Sequence, residues 1–284
     1  MIEFSKMRRL EGVGAIRRAL EERFGPGYEQ EAREMACSVL ECDLHRLILE
    51  NDVKYSYDQQ EALNVLLMRR LQGVPLQYLT HRAYFYGREF WVEEGVLIPR
   101  RDTETLVERA LMKGGEQPLQ ILDVCCGSGC IGITLKLERP QWDATLADIS
   151  GAALQIAERN AARLGADVGI VRGDLFAPIG AERFDLILSN PPYIREQEIA
   201  TLQREVRCHE PRLALSGGVD GLHFYRRIAK EAGEHLAPGG FVLAEIGYDQ
   251  AKEVQAIFQR EGYRDIEVFQ DMEGRDRVIQ ARFG

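Results

Sequence analysis

From residue 119 to the C-terminus, short β-branched runs alternate with stretches of helical periodicity. That alternation limits the possible folds more than any other feature. Strand-like runs fall at 119–124, 144–148, 168–172, 184–189 and 240–246, and helical spacing at 129–138, 151–164, 221–236 and 249–261. Strands joined by helical crossovers lie parallel in one sheet with helices on both faces. Two last strands, at 264–269 and 276–282, have no helix between them and predict an antiparallel hairpin. The reading is α/β: a mainly parallel, Rossmann-like seven-stranded sheet closed by a C-terminal hairpin.

The first third reads differently. Apolar residues recur at helical spacing over 7–24, 28–40, 43–50 and 57–72, punctuated by Gly25-Pro26-Gly27 and Gly73-Val74-Pro75. This predicts a small all-α bundle. Residues 83–98 are aromatic and β-branched, with turn signals at Gly87 and Glu94-Gly95, and predict a hairpin. A helix then starts near Asp102 and runs to about Met112. The expected organisation is a helical domain over 1–82, a β-hairpin linker over 83–98, and the sheet domain over 99–284. A length of 284 residues suits two such domains.

Charge sharpens the split. The net charge is −9, but residues 1–90 carry 13 Lys+Arg against 14 Asp+Glu, so residues 91–284 hold almost all of the excess, −8. An acidic surface disfavours stable nucleic-acid binding, which draws its affinity from phosphate neutralisation. No apolar run reaches the roughly 20 residues of a membrane span, and the N-terminus lacks a signal-peptide core, so a cytoplasmic location off the membrane is expected. Six cysteines include no C-x-x-C pair, and His is scarce, so no metal is expected and free thiols are the simpler reading.

Candidate binding residues cluster at strand ends. The run Asp123-Val124-Cys125-Cys126-Gly127-Ser128-Gly129 closes one strand and opens a helix. Small residues there let a ligand approach the backbone, whose amides present donors; alone, the run fits a dinucleotide site or a tight turn. The next strand ends at Asp148, about 20 residues on, where an acid can accept ribose hydroxyls. The third leads into Asp174-Leu175, an acid for an adenine amino group and an apolar cover for its ring. Either acid alone could be a strand-end cap. Three such features on consecutive units point to a nucleoside.

The strand Phe184–Ser189 runs into Asn190-Pro191-Pro192-Tyr193. Two prolines forbid regular structure and fix a rigid loop at the sheet's C-terminal edge. An amide or aromatic amine nitrogen is a poor nucleophile, because its lone pair is delocalised, so positioning must supply much of the rate. The Asn190 side-chain carbonyl and the Pro191 backbone carbonyl can accept the two N–H bonds of an NH₂ group, and Tyr193 offers a flat face. The expected catalytic residues are Asn190, Pro191 and Tyr193, with Pro192 completing the substrate loop.

With these residues in place, the sheet domain resembles class I S-adenosylmethionine-dependent methyltransferases. Asp123, Cys125, Gly127 and Gly129 align with their acid-x-Gly-x-Gly-x-Gly loop, with Cys125 where the first glycine usually stands. The Asn-Pro-Pro-Tyr loop is shared by adenine-N6 and glutamine-N5 methyltransferases. The flanking sequence is similar to the release factor glutamine methyltransferases (the PrmC/HemK family). The matching runs include Gly73-Val74-Pro75-Leu76-Gln77-Tyr78, Phe85-Tyr86-Gly87-Arg88-Glu89-Phe90, Leu97-Ile98-Pro99-Arg100 and Glu210-Pro211-Arg212-Leu213-Ala214-Leu215-Ser216-Gly217-Gly218. Arg101-Asp102 departs from the usual Pro-Glu.

The resemblance implies S-adenosylmethionine as cofactor, bound by Asp123, Cys125, Cys126, Gly127, Ser128, Gly129, Asp148, Asp174, Leu175 and Asn190. It implies as partner a peptide chain release factor, methylated at the glutamine of its Gly-Gly-Gln loop. The helical domain would then grip the release factor, and a monomer is expected. The alternative activity is adenine-N6 methylation of DNA or RNA. Arg100 fits either a pocket lining or a helix cap, Glu210 reads as a loop-holding acceptor, and Gly217-Gly218 as a turn.

Overall fold

In the computed structural model, which describes all residues 1–284, the chain divides into two units, Met1–His81 and Arg82–Gly284. The first holds α1 (Arg9–Phe24), α2 (Glu29–Leu40), α3 (Leu44–Leu49), α4 (Tyr57–Leu71) and α5 (Leu76–Thr80). Ser56 caps α4 reciprocally: its hydroxyl accepts from Gln59 N at 3.2 Å, and Gln59 Oε1 accepts from Ser56 N at 2.9 Å. Ile16, Leu20, Met35, Leu47 and Leu63 form a fully buried core. Arg70 is buried with them, ion-paired to Glu31 and 4.7 Å over the Phe24 ring. The helix α5, directly after Pro75, is too short for periodicity to reveal.

The second unit opens with a hairpin, β1 (Ala83–Phe85) and β2 (Arg88–Phe90), paired antiparallel. It belongs to this unit rather than standing between the two, which corrects the linker reading. Phe85 and Phe90 face the same side, meet edge to face at 6.1 Å and enter the sheet unit's core. The strands are also shorter than expected. Residues 91–98 leave the hairpin and are fastened by Asn160, which accepts from Trp91 N at 2.6 Å and donates to Trp91 O at 3.0 Å.

Next come α6 (Glu104–Gly114), β3 (Gln120–Val124), α7 (Cys130–Glu138), β4 (Asp143–Asp148), α8 (Gly151–Leu164), β5 (Gly169–Arg172) and β6 (Phe184–Ser189). Three short helices follow, α9 (Glu196–Ile199), α10 (Arg204–His209) and α11 (Arg212–Leu215), before α12 (His223–Ala232), β7 (Leu236–Glu245), α13 (Ala251–Arg260), β8 (Tyr263–Gln270) and β9 (Asp276–Phe283). The seven-stranded sheet has the order β5-β4-β3-β6-β7-β9-β8. β5, β4, β3, β6 and β7 are parallel; β9 runs antiparallel to both β7 and β8. The Rossmann-like reading with its closing hairpin is therefore correct.

Alternation along the strands divides the core. Ile121 of β3 joins a cluster with α6, α7 and α8, while Leu122 joins one with α12 and α13 on the opposite face. β7 starts earlier than the sequence suggested, because Ala237-Pro238-Gly239 bulges out between the Phe184–Leu236 and Leu186–Phe241 pairings and looks like a turn.

The strand order reverses between β3 and β6, and the crevice at that switch point is where open parallel sheets bind ligands. Gly129, which precedes α7, has φ +77°, and a Cβ there would lie 2.8 Å from Ile133 and 2.9 Å from Leu146. Replacing it by Ala adds left-handed strain to overpacking, so Gly129→Ala should destabilise the sheet unit by about 2–4 kcal/mol. Chemical denaturation measures this, and a stability within about 0.5 kcal/mol of wild type, the range of neutral surface changes, would refute it.

Candidate active site

Loops after four neighbouring parallel strands converge at the switch point. After β3, Cys125 adopts φ +61°, a left-handed conformation that costs a side-chain-bearing residue about 1–2 kcal/mol and that glycine takes freely. The turn is tightly bonded within itself. Cys126 N donates to Ala147 O at 3.1 Å, Gly129 N to Cys126 O at 2.8 Å, and Gly127 N to Asp148 Oδ2 at 2.9 Å. The loop amides expected to offer donors are thus largely spent inside the protein. Asp148, at the end of β4, braces the turn and also accepts from Ser150 N at 2.9 Å. Burial pushes its carboxyl up, and the N–H bonds from Ser150 and Gly127 pull it back.

One cavity gathers most of the expected cofactor residues: Cys125, Cys126, Gly127 and Ser128 from the first loop, then Asp148, Asp174, Leu175 and Asn190. Val96, Leu97, Ile131 and Phe224 supply apolar lining. Leu175 sits at φ +50°, and Asp174 accepts from Arg227 Nη1 through both oxygens, at 2.8 and 3.0 Å. Two expected residues lie elsewhere. Gly129 packs into the helix–sheet interface. Asp123 is fully buried beneath the turn, where Oδ2 accepts from Gly132 N at 2.9 Å and Oδ1 has no partner. Both shape the loop and line no part of the cavity.

A second cavity of about 200 Å³ lies alongside, lined by Tyr193, Ile194, Val206, Leu215 and Glu245, and sharing Leu97, Arg100, Asn190 and Ala214 with the first. Asn190 therefore stands on the border of the two. Pro192 lines the first cavity; Pro191 is buried and lines neither. The loop is clamped from every side. Ser189 Oγ donates to Val124 O at 2.7 Å, Ile194 N to Leu215 O at 2.9 Å, Gly217 N to Ile194 O at 2.9 Å, and Gln250 Nε2 to Tyr193 O at 3.0 Å. Gly217-Gly218, read as a turn, instead leads into a bend at 219–221, and a Cβ on Gly217 would come within 2.7 Å of the Tyr193 backbone.

Arg100 lines both cavities and pairs with Glu210, which is 6% exposed and also accepts from Ile98 N at 3.4 Å. Glu210 thus fastens the 97–100 segment and faces neither cavity. His209 beside it is partly exposed, 4.0 Å from Glu94.

Sequence reasoning missed Thr103 and Glu245. Glu245 ends β7 fully buried; Oε2 accepts from Thr103 Oγ1 at 2.6 Å and Oε1 from Tyr193 OH at 3.1 Å. Asn190 Nδ2 donates to Thr103 Oγ1 at 3.2 Å. Burial pushes the Glu245 carboxyl up, while the Thr103 hydrogen bond and the Arg277 charge oppose that rise. One signal was available: an acid closing the apolar run Phe241-Val242-Leu243-Ala244, the same pattern that singled out Asp148.

The first cavity suits a nucleoside-type ligand. It carries two carboxylates and one arginine already paired, and the Ser128 hydroxyl in its wall is buried without a partner. Acids beside spent amides favour hydroxyls, amines or a cation over a pyrophosphate.

Burial raises Asp123 to about 7, the Gly132 N–H notwithstanding. A folded-state pKa above the unfolded value of about 4 means that folding becomes less favourable as pH rises between the two. Asp123→Asn, which keeps an oxygen for Gly132, should therefore gain stability relative to wild type as pH climbs from about 4 to 7. Thermal melts across that range measure it, and a constant difference would contradict the assignment.

Comparison with known proteins gives the family. A family profile described as the methyltransferase small domain matches residues 102–260, and one described as the PrmC N-terminal domain matches 15–80. The release factor glutamine methyltransferase of Geobacter sulfurreducens is 42% identical over 254 residues, covering 89% of each chain. That of Cereibacter sphaeroides is 38% identical over 278 residues, covering 96% of this chain and 99% of its own. A solved T. thermophilus 16S rRNA N2 G1207 methyltransferase, in complex with AdoMet and guanosine, shares the fold alone. Its TM-score is 0.52 at 15% identity, over 72% of this chain and 50% of that one. By sequence and architecture together, this chain belongs to the release factor glutamine methyltransferase family.

Proposed function

We propose that the protein transfers the methyl group of S-adenosylmethionine to the side-chain amide nitrogen, N5, of the glutamine in the Gly-Gly-Gln loop of peptide chain release factors. The observation that carries this is Asn190, which stands between a nucleoside-type cavity and a second one large enough for a glutamine side chain. In the first, Asp148 would receive ribose hydroxyls, Leu175 would cover the adenine and Asp174 would face its amino group. The second would receive the acceptor amide.

When bound, S-adenosylmethionine supplies an electrophilic methyl on a sulfonium, whose S–C bond breaks as the N–C bond forms. The protein's part is placement. The Asn190 side-chain carbonyl would accept an amide N–H bond, turning the nitrogen lone pair toward the methyl and favouring the positive charge that grows on nitrogen, while Pro191, buried behind it, fixes the loop. The methylated nitrogen is then acidic and yields its proton to water.

The helical unit supports a macromolecular acceptor. It exposes Ile48, Leu49, Val53, Tyr57, Val65 and Met68, apolar surface that a protein partner would cover. Its near-neutral charge and the acidic sheet unit favour a protein over the adenine of a nucleic acid.

Incubation with methyl-labelled S-adenosylmethionine should label an intact release factor, and replacing its loop glutamine should abolish the signal. Label on DNA or RNA alone would overturn the proposal. In the same assay, Asn190→Ala should lower turnover at least about 100-fold, as for lost transition-state partners, while cofactor affinity stays within about twofold. Near-normal turnover would remove Asn190 from this role.

A further inference from the structure

We propose that Thr103 and Glu245 are positioning residues that fix which end of the Asn190 amide faces the acceptor nitrogen. The inference rests on the reading of Asn190 as acceptor for a substrate N–H.

Hydrogen-bond direction carries it. A carboxylate only accepts, so Glu245 obliges Thr103, at 2.6 Å, to point its hydroxyl proton toward Oε2. With its one proton committed, Thr103 Oγ1 can only accept from Asn190, 3.2 Å away. Asn190 must then turn its NH₂ to Thr103. The amide is planar and its two ends diverge, so the carbonyl Oδ1 turns away from Thr103. If the amide flipped, an oxygen would face an oxygen at Thr103, and the NH₂ would meet the substrate's own N–H bonds, donor against donor.

The rest of the surroundings keep Glu245 an acceptor. Tyr193 OH donates to its other oxygen at 3.1 Å, so both oxygens already receive a hydroxyl proton. Arg277, held by Asp102 at 3.1 Å and Asp271 at 3.1 Å, lends positive charge. The chain of bonds joins the start of α6, the end of β7 and the loop after β6, segments 142 and 87 residues apart in sequence. None of these bonds is needed to close the sheet, which pairs through its backbone.

The test compares four chains on S-adenosylmethionine and an intact release factor: wild type, Thr103→Val, Thr103→Ser and Glu245→Gln. Valine keeps the shape and removes the hydroxyl; serine restores it. Glutamine keeps the shape of Glu245 but can donate, which frees Thr103 to reverse its bond. The expected result is a fall in kcat of at least about tenfold for Thr103→Val and Glu245→Gln, consistent with one misaligned transition-state partner. Cofactor affinity and KM for the release factor should stay within about twofold. Thr103→Ser should recover to within about threefold of wild type.

A purely structural role would predict instead that KM, cofactor affinity and melting temperature move together, and that serine rescues no better than valine. That outcome, or an unchanged kcat in both Thr103→Val and Glu245→Gln, overturns the inference. Should Glu245→Gln fail to fold, the valine–serine pair decides alone. Failure of the wild-type chain to label the release factor would sink the proposed function and this inference with it, whereas wild-type labelling with unaffected variants sinks only the inference.

Discussion

The site depends on β3 and β6 lying side by side. Their parallel pairing brings Val124 opposite Ser189, and the Ser189 hydroxyl clamps the Val124 carbonyl at 2.7 Å. One strand then releases its glycine turn and the other its Asn-Pro-Pro-Tyr loop from adjacent points on the sheet edge. Methyl transfer needs two molecules aligned within bonding distance, and a rigid sheet sets that alignment better than mobile loops could. Loop bracing completes the arrangement: Asp148 ties the turn to β4, while Gln250 and Gly217 tie the Tyr193 loop to the segments behind it.

Much of this was legible in the sequence. Strand–helix alternation with long crossovers permits few topologies, and the acid and glycine positions at successive strand ends fall where that topology places a ligand. Asn190, Asp148 and Leu175 were readable because each lies at the end of a strand-like run or within three residues beyond it. Asp123 and Gly129 belong to the same motif, yet they act from below the turn. Spacing alone cannot separate a residue that touches a ligand from one that shapes the loop touching it.

Other features were hidden for physical reasons. The helices α5, α9, α10 and α11 span four to six residues each, too few turns for a periodic pattern, so surrounding packing sets them. Burial of Arg70 follows from Glu31 and the Phe24 ring, partners 39 or more residues away. Thr103 carries no local motif, and Glu245 shows only the strand-end acid pattern; their relation exists only after folding has brought the start of α6 to the end of β7. The hairpin expected over 83–98 forms only over 83–90, and Phe85 and Phe90, whose shared face had to be buried somewhere, place it in the core of the sheet unit.

The inward bonding of the glycine turn bears on how the site behaves among other nucleotides. Adenosine is common to many cellular molecules, ATP foremost among them, so recognising the nucleoside alone would leave the site open to competition. Here the amides of Cys126, Gly127 and Gly129 are already engaged, and Asp148 adds a carboxylate to the wall, while Asp174 is offset by Arg227. A triphosphate would meet repulsion where a phosphate-binding loop offers donors, whereas a sulfonium meets attraction. Under the proposed function, the same bonds that hold the turn in shape would also act as a charge filter, favouring an adenosine that carries a cation over one that carries phosphates.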